Sequence, residues 1–584
     1  MSFSALETRL ARMEVRRSEL KPAEVGSKMQ PWVAELHRRQ FLLGPVPFRR
    51  EGWLSRELTN GLVLSHCASL EVQTSVDGNG QEWTLLGFAA QTEHDRPDPI
   101  DALCGTTDDV SNVTRTWTGR WILIGGDELR LDASGLLGCF YRTIESGPNS
   151  GLWMSSSVAL LAGLPGSPSA GSPQGEFGWA VGVDWFPPPQ SRYPGIRSVL
   201  ASQILKLNAG SVRTIRKSVP HPLQQNRSSD ELAAVVERRL VTGIQNIART
   251  SNGPLWIALT AGGDSRLVLA AAHAAGIEVR TFTHELPFHR WGHGLADRNL
   301  PPALAQEIGT EHALIEARAR SDALVELWDT HTAGQSAEAD RDLLARGQWD
   351  AIPAESTVIR AGLFEMAQNS EHDYLPPVDR DPALMMKALD AYASHFGRAL
   401  TDYQRIGLSE WVDWMLADPE PRIDWRDRFF HEQRVAGWLS SIEQGLDSTG
   451  RRSVQLANCT ALIEELMTFD HDMRTMVEHH LLLIERMAPE LLSHPVNPDD
   501  GWLVRIAGKV VREVYRMTNP GEGSYLENVG QRLRSKLGRP APRGRTAVAD
   551  LAPTDISISS RSRLEHRQDG SSSSSWTSDD AADG

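Results

Sequence analysis

The sequence is poor in cysteine and lysine, and it contains no long apolar run. Its four cysteines, at positions 67, 104, 139 and 459, form no CxxC pair, which argues against a zinc knuckle or a disulfide framework. No run approaches ~18 apolar residues, so no membrane span is expected. The charged N-terminus lacks the apolar core of a signal peptide. We therefore expect a cytoplasmic protein that does not bind membranes.

Basic residues are outnumbered, and no basic block is present. The formal net charge is −15, and only seven of the 60 Lys and Arg residues are lysines. Because sequence-independent binding to phosphate backbones needs clustered positive charge, nucleic acid is not an expected partner. The 584 residues exceed what one core can hold, since cores stop growing near ~250–300 residues. Two or three domains are therefore expected.

The first 220 residues show two different sequence patterns. Residues 1–50 are rich in arginine and predict a helical extension. From 51 to 220, short runs alternate apolar with polar residues and are separated by Gly, Asp, Asn and Pro, as at 82–90, 120–134 and 151–163. This pattern is typical of an antiparallel β-rich domain.

The pattern changes to α/β after residue 220. Ser228 and Glu231 have capping-box spacing and predict the start of a helix that runs to about Arg249. Strands and helices then alternate along the chain: strand 254–260, helix 266–276, strand 278–285, helix 300–309 and strand 312–317. Such alternation predicts a parallel sheet within a second domain at 221–540. Helical texture dominates from about 380, and the composition of 541–584 predicts a disordered tail.

A glycine-rich hexapeptide joins the first of these strands to its helix. A glycine pair lets the backbone approach an anion closely, and a helix N-terminus presents free N–H groups. Its aspartate would repel a phosphate, so a bridging Mg²⁺ would explain it. The alternative is a tight turn in which the aspartate caps the helix. No GxxxxGK[ST] pattern is present, so this is not a Walker A loop. The hexapeptide consists of Thr260, Ala261, Gly262, Gly263, Asp264 and Ser265.

This hexapeptide resembles the SGGxDS loop of the ATP pyrophosphatases, in the form used by asparagine synthetases and β-lactam synthetases. Thr260 replaces the serine, and Ala261 replaces the first glycine. The segments VRTFT and ALAQEIGTEH that follow are also similar to that family. The resemblance implies ATP and Mg²⁺ as cofactors, with the hexapeptide on the pyrophosphate and Phe282 and Thr283 near the nucleotide base.

The N-terminal part resembles the same family. Residues 119–142, with Asp132 and Tyr141, look like its GRFA-type strand pair, and residues 192–207 look like its connecting motif. The implied fold is an Ntn-hydrolase-like antiparallel sandwich followed by a parallel-sheet synthetase domain of the adenine nucleotide α-hydrolase-like type. Ser2 stands where the family's glutaminases have cysteine, so the sandwich is expected to lack the nucleophile and to serve as scaffold or substrate-recognition domain.

The family's second acidic motif is only half present. In STVIRAGLFEMA, residues 356–367, Glu365 matches the glutamate, whereas Phe364 occupies the aspartate position. The resemblance implies that Glu365 and Asp264 hold Mg²⁺, which commonly uses one or two carboxylates plus phosphates. The alternative is that Glu365 is a structural partner of Arg360.

The cation expected near the reacting phosphate is also altered. The family uses a late lysine, but none lies between Lys387 and Lys509. Arg486 and His494 are the cations in that region, and Arg486 cannot act as an acid or base in water. Arg266 follows the loop and either faces the phosphates or forms a salt bridge on the helix surface. Arg266, Glu365 and Arg486 are thus the candidate catalytic residues.

A histidine-rich stretch follows the second strand. His284, His289 and His293 would need a further ligand such as Asp297 to bind zinc. The glycines between them favour a loop instead, and a lid over the nucleotide is the preferred hypothesis.

These features predict an ATP-dependent ligase of the asparagine-synthetase-like group. Its substrate would be a small molecule or peptide that carries a carboxylate and an amine, in a biosynthetic pathway. A homodimer is left open. The alternative is a degenerate nucleotide-binding or regulatory protein of the same fold. A third class, sulfur transfer, is disfavoured because no paired cysteines occur.

Overall fold

A computed structural model describes residues 36–498, with gaps at 96–97, 165–172, 176–182, 209–210, 225–226, 286–293, 337–338, 397–398 and 420–421. The predicted tail 541–584, residues 499–540 and most of the predicted extension 1–50 lie outside the described residues. In the described part, no helix is both long enough and apolar enough to cross a membrane.

The N-terminal part consists of two six-stranded antiparallel sheets that share a core. The first contains, in spatial order, β10 (Arg197–Ser198), β8 (Phe140–Ile144), β9 (Gly151–Ser155), β1 (Phe41–Gly44), β3 (Val63–Cys67) and β2 (Trp53–Glu57). The second contains β12 (Ser211–Arg216), β11 (Gln203–Asn208), β7 (Glu128–Leu131), β6 (Trp117–Gly125), β5 (Glu82–Gln91) and β4 (Val72–Val76). Phe41 and Leu64 of the first sheet pack in one apolar cluster with Leu86 and Ile122 of the second. The antiparallel β-rich prediction is therefore confirmed.

Two local expectations fail in this part. Within the stretch expected to be helical, Phe41–Gly44 is a fully buried strand, because its apolar run pairs with β3 and β9. The run at 151–163 is a strand only in its first half. Ser157 then caps a short helix, Val158–Ala162, by accepting a hydrogen bond from the backbone N–H of Leu160.

The C-terminal part is built on a five-stranded parallel sheet, as predicted. Its spatial order is β15 (Glu311–Ile315), β14 (Arg280–His284), β13 (Leu255–Ala258), β16 (Thr357–Arg360) and β17 (Arg452–Gln455). Every neighbouring pair in it is parallel. The chain builds outward from β13 to β15 on one side and then returns to β16 on the other side. β17 lies within the region that composition predicted to be helical; only four residues long, it is buried against β16.

Helices cover this sheet and fill the rest of the chain. Numbered along the described residues they are α1 (Val110–Thr114), α2 (Val158–Ala162), α3 (Ser229–Thr250), α4 (Gly263–Ala274), α5 (Gly294–Glu307), α6 (Asp322–Thr332), α7 (Ala339–Ala345), α8 (Pro382–His395), α9 (Asp402–Leu416), α10 (Trp425–Phe429), α11 (Ser440–Asp447), α12 (Thr460–Met467), α13 (His471–Thr475) and α14 (Glu478–Met487). The predicted capping box is present at α3, where Ser228 and Glu231 each bond the other's backbone N–H. A π-helical segment, Phe430–Leu439, joins α10 to α11.

A buried ion pair connects the two parts. Arg120 of β6 donates from both terminal nitrogens to the two oxygens of Asp447 at the end of α11, each at 3.0 Å. Asp132, on the turn after β7, accepts the backbone N–H groups of Ser134 and Leu136 and the side-chain amide of Asn458. Both carboxylates are fully buried. Because an uncompensated buried charge is expensive, these contacts hold the sandwich against the parallel-sheet part.

Removing one partner of the Arg120–Asp447 pair should be more harmful than removing both. Arg120→Met leaves a buried carboxylate without its bidentate donor and should destabilise the fold by about 3–5 kcal/mol. Arg120→Met combined with Asp447→Leu removes both charges and should recover much of that loss. The unfolding midpoints of the single variant, the double variant and the wild type would be compared by calorimetry. A double variant that unfolds earlier than the single one would contradict this description.

Candidate functional site

The 260–265 loop lies at the point where the parallel sheet reverses its order. It follows β13, the central strand, whose neighbours are β14 on one side and β16 on the other. The connection that leaves β13 leads to β14 on one side, whereas β16 is added on the other side. In this topology a crevice forms at the carboxyl ends of β13 and β16. Ligands of open α/β sheets bind in such a crevice. The fold therefore places the predicted loop where a ligand site is expected.

The two hydroxyl groups of the loop close it on itself. The Ser265 hydroxyl accepts from the backbone N–H of Thr260 at 3.0 Å and lies 2.9 Å from the Thr260 hydroxyl. The Thr260 hydroxyl also accepts from the N–H of Gly262 at 3.2 Å. The N–H of Ala261 donates to Asp297 of α5 at 2.9 Å. The first three amides of the loop are thus occupied within the protein.

The free donors lie at the start of α4. The helix begins at Gly263, three residues earlier than predicted, and Gly262 is its cap residue. No side chain caps this end. The amides of residues 263–265 thus form the first turn, whose N–H groups have no partner within a helix. The alternative in which Asp264 caps the helix is wrong, because Asp264 is already inside the first turn.

Asp264 is held by two side chains from distant parts of the sequence. Its Oδ1 accepts from Nε2 of Gln368 at 2.6 Å. The same oxygen lies 3.0 Å from Nδ1 of His480, within ion-pair distance but outside hydrogen-bond geometry. His480 is fully buried in α14, and Gln368 ends the short 3₁₀ helix Phe364–Gln368 after β16. Both partners approach the same oxygen, and the hydrogen bond from Gln368 orients the carboxylate.

Glu365 belongs to the same electrostatic environment. Burial raises its pKa from the ordinary 4.5 to about 7; Arg434 opposes the shift, and repulsion by Asp264 and Glu371 adds to it. Arg434 lies on the buried π-helical segment, with Nε 4.0 Å from Oε1 of Glu371. The structure therefore brings Asp264 and Glu365 close enough for their charges to interact, although 101 positions separate them in the sequence. Because Mg²⁺ commonly takes one or two carboxylates together with phosphate oxygens, Asp264 and Glu365 are the residues that could hold it.

The structural alternative for Glu365 is wrong. Arg360 forms its described ion pairs with Asp340 and Glu443, at 3.3 Å each, and none with Glu365. Phe364 is fully buried and packs edge-on against the His480 ring, with the ring centroids 5.8 Å apart. The position that carries an aspartate in the similar family is therefore part of the apolar core in this chain.

The predicted cations are engaged by other groups of the protein. Arg266 is fully buried, and it donates to backbone carbonyls of residues 261, 491, 494 and 495 rather than pairing on the helix surface. Arg486 pairs with Glu237 on α3 at 2.8 Å, and His494 contacts Glu307 on α5 at 3.2 Å. Neither Arg266 nor Arg486 is thus placed to touch a nucleotide in this structure. The cation whose charge acts on Glu365 is Arg434, for which the sequence offered no signal.

Phe282 and Thr283 lie inside the sheet rather than on a nucleotide surface. Phe282 packs between Trp256 and Trp349, with ring centroids 6.2 and 6.0 Å away. The Thr283 hydroxyl donates to the carbonyl of Leu259 at 2.6 Å and so joins β14 to the strand before the loop. Both side chains are buried. The base contacts that the resemblance implies do not fit this arrangement.

The zinc hypothesis receives no support from the described residues. His284 stacks edge-on against Trp349, and Asp297 is the acceptor for the loop amide of Ala261. No group of three metal-ligating side chains occurs among the residues that the structure describes. His289 and His293 lie outside them, as does the lid that this stretch predicts.

Comparisons with known proteins add little to this geometry. No protein-family model and no curated protein matches the chain. Among the solved structures that match, that of NMN synthetase from Francisella tularensis shares 15% identical residues with this chain. That comparison covers 43% of this chain and 97% of the other, with a TM-score of 0.17. At this level of overlap, the similarity does not bear on function.

The raised pKa of Glu365 predicts a pH-dependent stability difference. Between the ordinary pKa of 4.5 and the raised pKa of about 7, Glu365 keeps its proton in the folded protein and loses it in the unfolded chain. Stability from this group is therefore full below the unfolded pKa and is lost as the pH rises toward 7. The unfolding midpoint of the wild type, relative to Glu365→Gln, should fall between about pH 5 and about pH 8. Parallel curves for the two proteins would show that Glu365 titrates normally.

Proposed function

We propose that this chain is an ATP-dependent ligase that forms an amide bond through an acyl-adenylate. One observation supports this most: the uncapped first turn of α4, at the reversal point of the sheet, contains Asp264, whose charge interacts with that of Glu365. Uncapped amides attract an anion, whereas the two carboxylates would repel one. A phosphate chain that arrives with Mg²⁺ satisfies both groups.

In the proposed reaction, a carboxylate oxygen of the substrate attacks the α-phosphorus of ATP. The bond between that phosphorus and the bridging oxygen breaks, and pyrophosphate leaves. An amine nitrogen then attacks the acyl carbon, loses a proton and displaces AMP. The amides of residues 263–265 would bind the pyrophosphate, and Asp264 and Glu365 would hold Mg²⁺, which neutralises charge on the phosphates when bound. The amine is ammonia, a second molecule or part of the same substrate.

A second candidate function is nucleotide binding without amide formation. It is favoured by the buried Phe364 at the position of a metal-binding aspartate, and by Arg266 and Arg486, whose side chains are engaged elsewhere. In that case ATP would stabilise the protein and would not be consumed. Whether the chain forms a homodimer does not distinguish the two candidates.

The products of ATP turnover separate the two candidates. The full chain is incubated with Mg-ATP and a panel of carboxylic acids and amines, and AMP and pyrophosphate are quantified. Asp264→Asn should lower their formation on the order of 10²-fold or more, because metal-assisted charge neutralisation supplies several kcal/mol. Asp390→Asn removes a partly exposed carboxylate that pairs with Arg405, away from the 260–265 loop, and should keep the rate.

ADP and phosphate as the products would reject the adenylation mechanism. A thermal shift with ATP, without AMP and without loss on Asp264→Ala, would support the binding role instead.

The glycine pair provides an independent test of the phosphate site. A methyl group on Gly263 would meet Val496 at 3.6 Å and His480 at 3.9 Å, which are ordinary contacts. Gly263→Ala should therefore leave the unfolding midpoint unchanged or slightly higher, since alanine favours helix. The same methyl stands beside the first free amide and should weaken ATP binding about tenfold or more by holding a phosphate away. Calorimetric titration with Mg-ATP measures the affinity.

Gly243→Ala in α3 is the matched control, because its methyl would meet only side chains, at 3.4 Å. Equal ATP affinities for both glycine variants and the wild type would place the phosphates elsewhere.

A further inference from the structure

Arg266 is a charged residue at a fully buried position of α4, where apolar residues are usual. Its neighbours in α4, Leu267, Val268 and Leu269, are fully buried in the core, and Arg266 is equally inaccessible. Burial lowers its pKa to about 10. The desolvation of an ion is expensive unless good hydrogen bonds replace its water. The chain nevertheless keeps a guanidinium group at this point, one residue after the loop.

The replacement for water is a set of four backbone carbonyls. Nη1 donates to the carbonyl of Leu491 at 2.9 Å and to that of His494 at 2.7 Å. Nη2 donates to the carbonyl of Pro495 at 2.9 Å and to that of Ala261 at 3.2 Å. Three acceptors belong to residues 491–495, and the fourth belongs to the loop itself. Arg266 thus connects the loop to a segment more than 220 positions later.

That segment, residues 491–497, is called the strap here because it crosses the glycine pair. The N–H of Asn497 donates to the carbonyl of Ala261 at 3.2 Å. Its side-chain oxygen lies 3.4 Å from the point that a Cβ on Gly262 would occupy, and Val496 lies 3.6 Å from the corresponding point on Gly263. Asn497 has φ of 46°, a left-handed conformation that asparagine tolerates better than most residues. The strap therefore lies in contact distance of the backbone that leads into the free amides.

We infer that Arg266 is a positioning residue that fixes the strap as a wall of the phosphate site. It does so through four main-chain hydrogen bonds, without touching the nucleotide. This inference rests on the proposed function for the identity of the ligand, but the connection between loop and strap does not. The strap limits the space above Gly262 and Gly263, so its position decides how closely phosphate oxygens approach the start of α4.

The test compares Arg266→Lys with Arg405→Lys in the full chain. A lysine keeps the charge but cannot reproduce the planar fork of donors that reaches four carbonyls. Arg405 forms a partly exposed pair with Asp390 and serves as the matched control. Hydrogen exchange followed by mass spectrometry should show exchange in the strap and the 260–265 loop rising about tenfold in Arg266→Lys alone. Calorimetry should show ATP affinity falling about tenfold, again in Arg266→Lys alone.

Pro495→Gly provides a second route if Arg266→Lys folds poorly. It loosens the strap while Arg266 is intact, because glycine has more backbone freedom than proline. It should raise strap exchange and weaken ATP binding in the same direction.

The outcomes separate the inference from the proposed function. Wild-type exchange in the strap of Arg266→Lys would overturn the positioning role. Faster strap exchange with unchanged ATP affinity would overturn the role of the strap as a wall, with the proposed function intact. A wild type that neither binds nor consumes ATP would reject the proposed function, and with it the strap as a wall of a nucleotide site. For Pro495→Gly, wild-type affinity together with faster strap exchange would likewise overturn the inference.

Discussion

The structure depends on the central position of β13 in the parallel sheet. The chain passes from β13 to β14 on one side and later returns to β16 on the other, so the connections diverge at the carboxyl end of β13. The chain leaves that end through the turn at 260–262, and α4 begins directly after it at Gly263. The first turn of α4, the carboxylate of Asp264 and the segment after β16 all meet in the resulting crevice. A different strand order would place the same hexapeptide on an ordinary connection.

The crevice combines groups of opposite electrostatic preference. The start of α4 carries a partial positive charge. Asp264 and Glu365 place two carboxyl groups in the same region. Burial raises the pKa of Glu365 to about 7, so near neutrality this carboxyl is only partly ionised without a cation. Arg434, on the π-helical segment, moderates the shift. A divalent cation with phosphate oxygens fits this arrangement better than either a bare anion or a bare cation.

The regular parts of the fold could be predicted because local periodicity and caps specify them. Ser228 and Glu231 marked the start of α3, and the alternation after it gave the parallel sheet. β1 and β17 were missed because each has only four residues and lies in a stretch whose overall composition favours helix. The loop could be predicted as a unit, since its glycines and hydroxyls are contiguous.

The partners of the loop could not be found in the sequence. Gln368, His480 and the strap reach it from positions more than 100 residues away, and the fold alone brings them together. The orientation of Arg266 could not be predicted either. An arginine after a glycine-rich loop suggests an ion pair with phosphate or carboxylate, whereas Arg266 donates hydrogen bonds to backbone carbonyls. His480 gave no signal, since a buried histidine in a helix is usually part of the core. Gln368 lies three residues after Glu365. Its hydrogen bond to Asp264 forms only because β16 lies next to β13 in the sheet, which the sequence does not show.

In the proposed reaction, the positions of the cations restrict which groups can act in each step. Adenylation needs charge neutralisation, which a metal ion and a nearby guanidinium can provide without exchanging protons. Amide formation also needs the amine to lose a proton, and an arginine cannot accept it. Among the described carboxylates of the crevice, Glu365 has a pKa suited to that role. A carboxylate that holds Mg²⁺ is deprotonated and coordinated, so Glu365 cannot serve as ligand and base in the same step. The two halves of the reaction would therefore use this residue differently: as a metal ligand while pyrophosphate leaves, and as a base once it has departed.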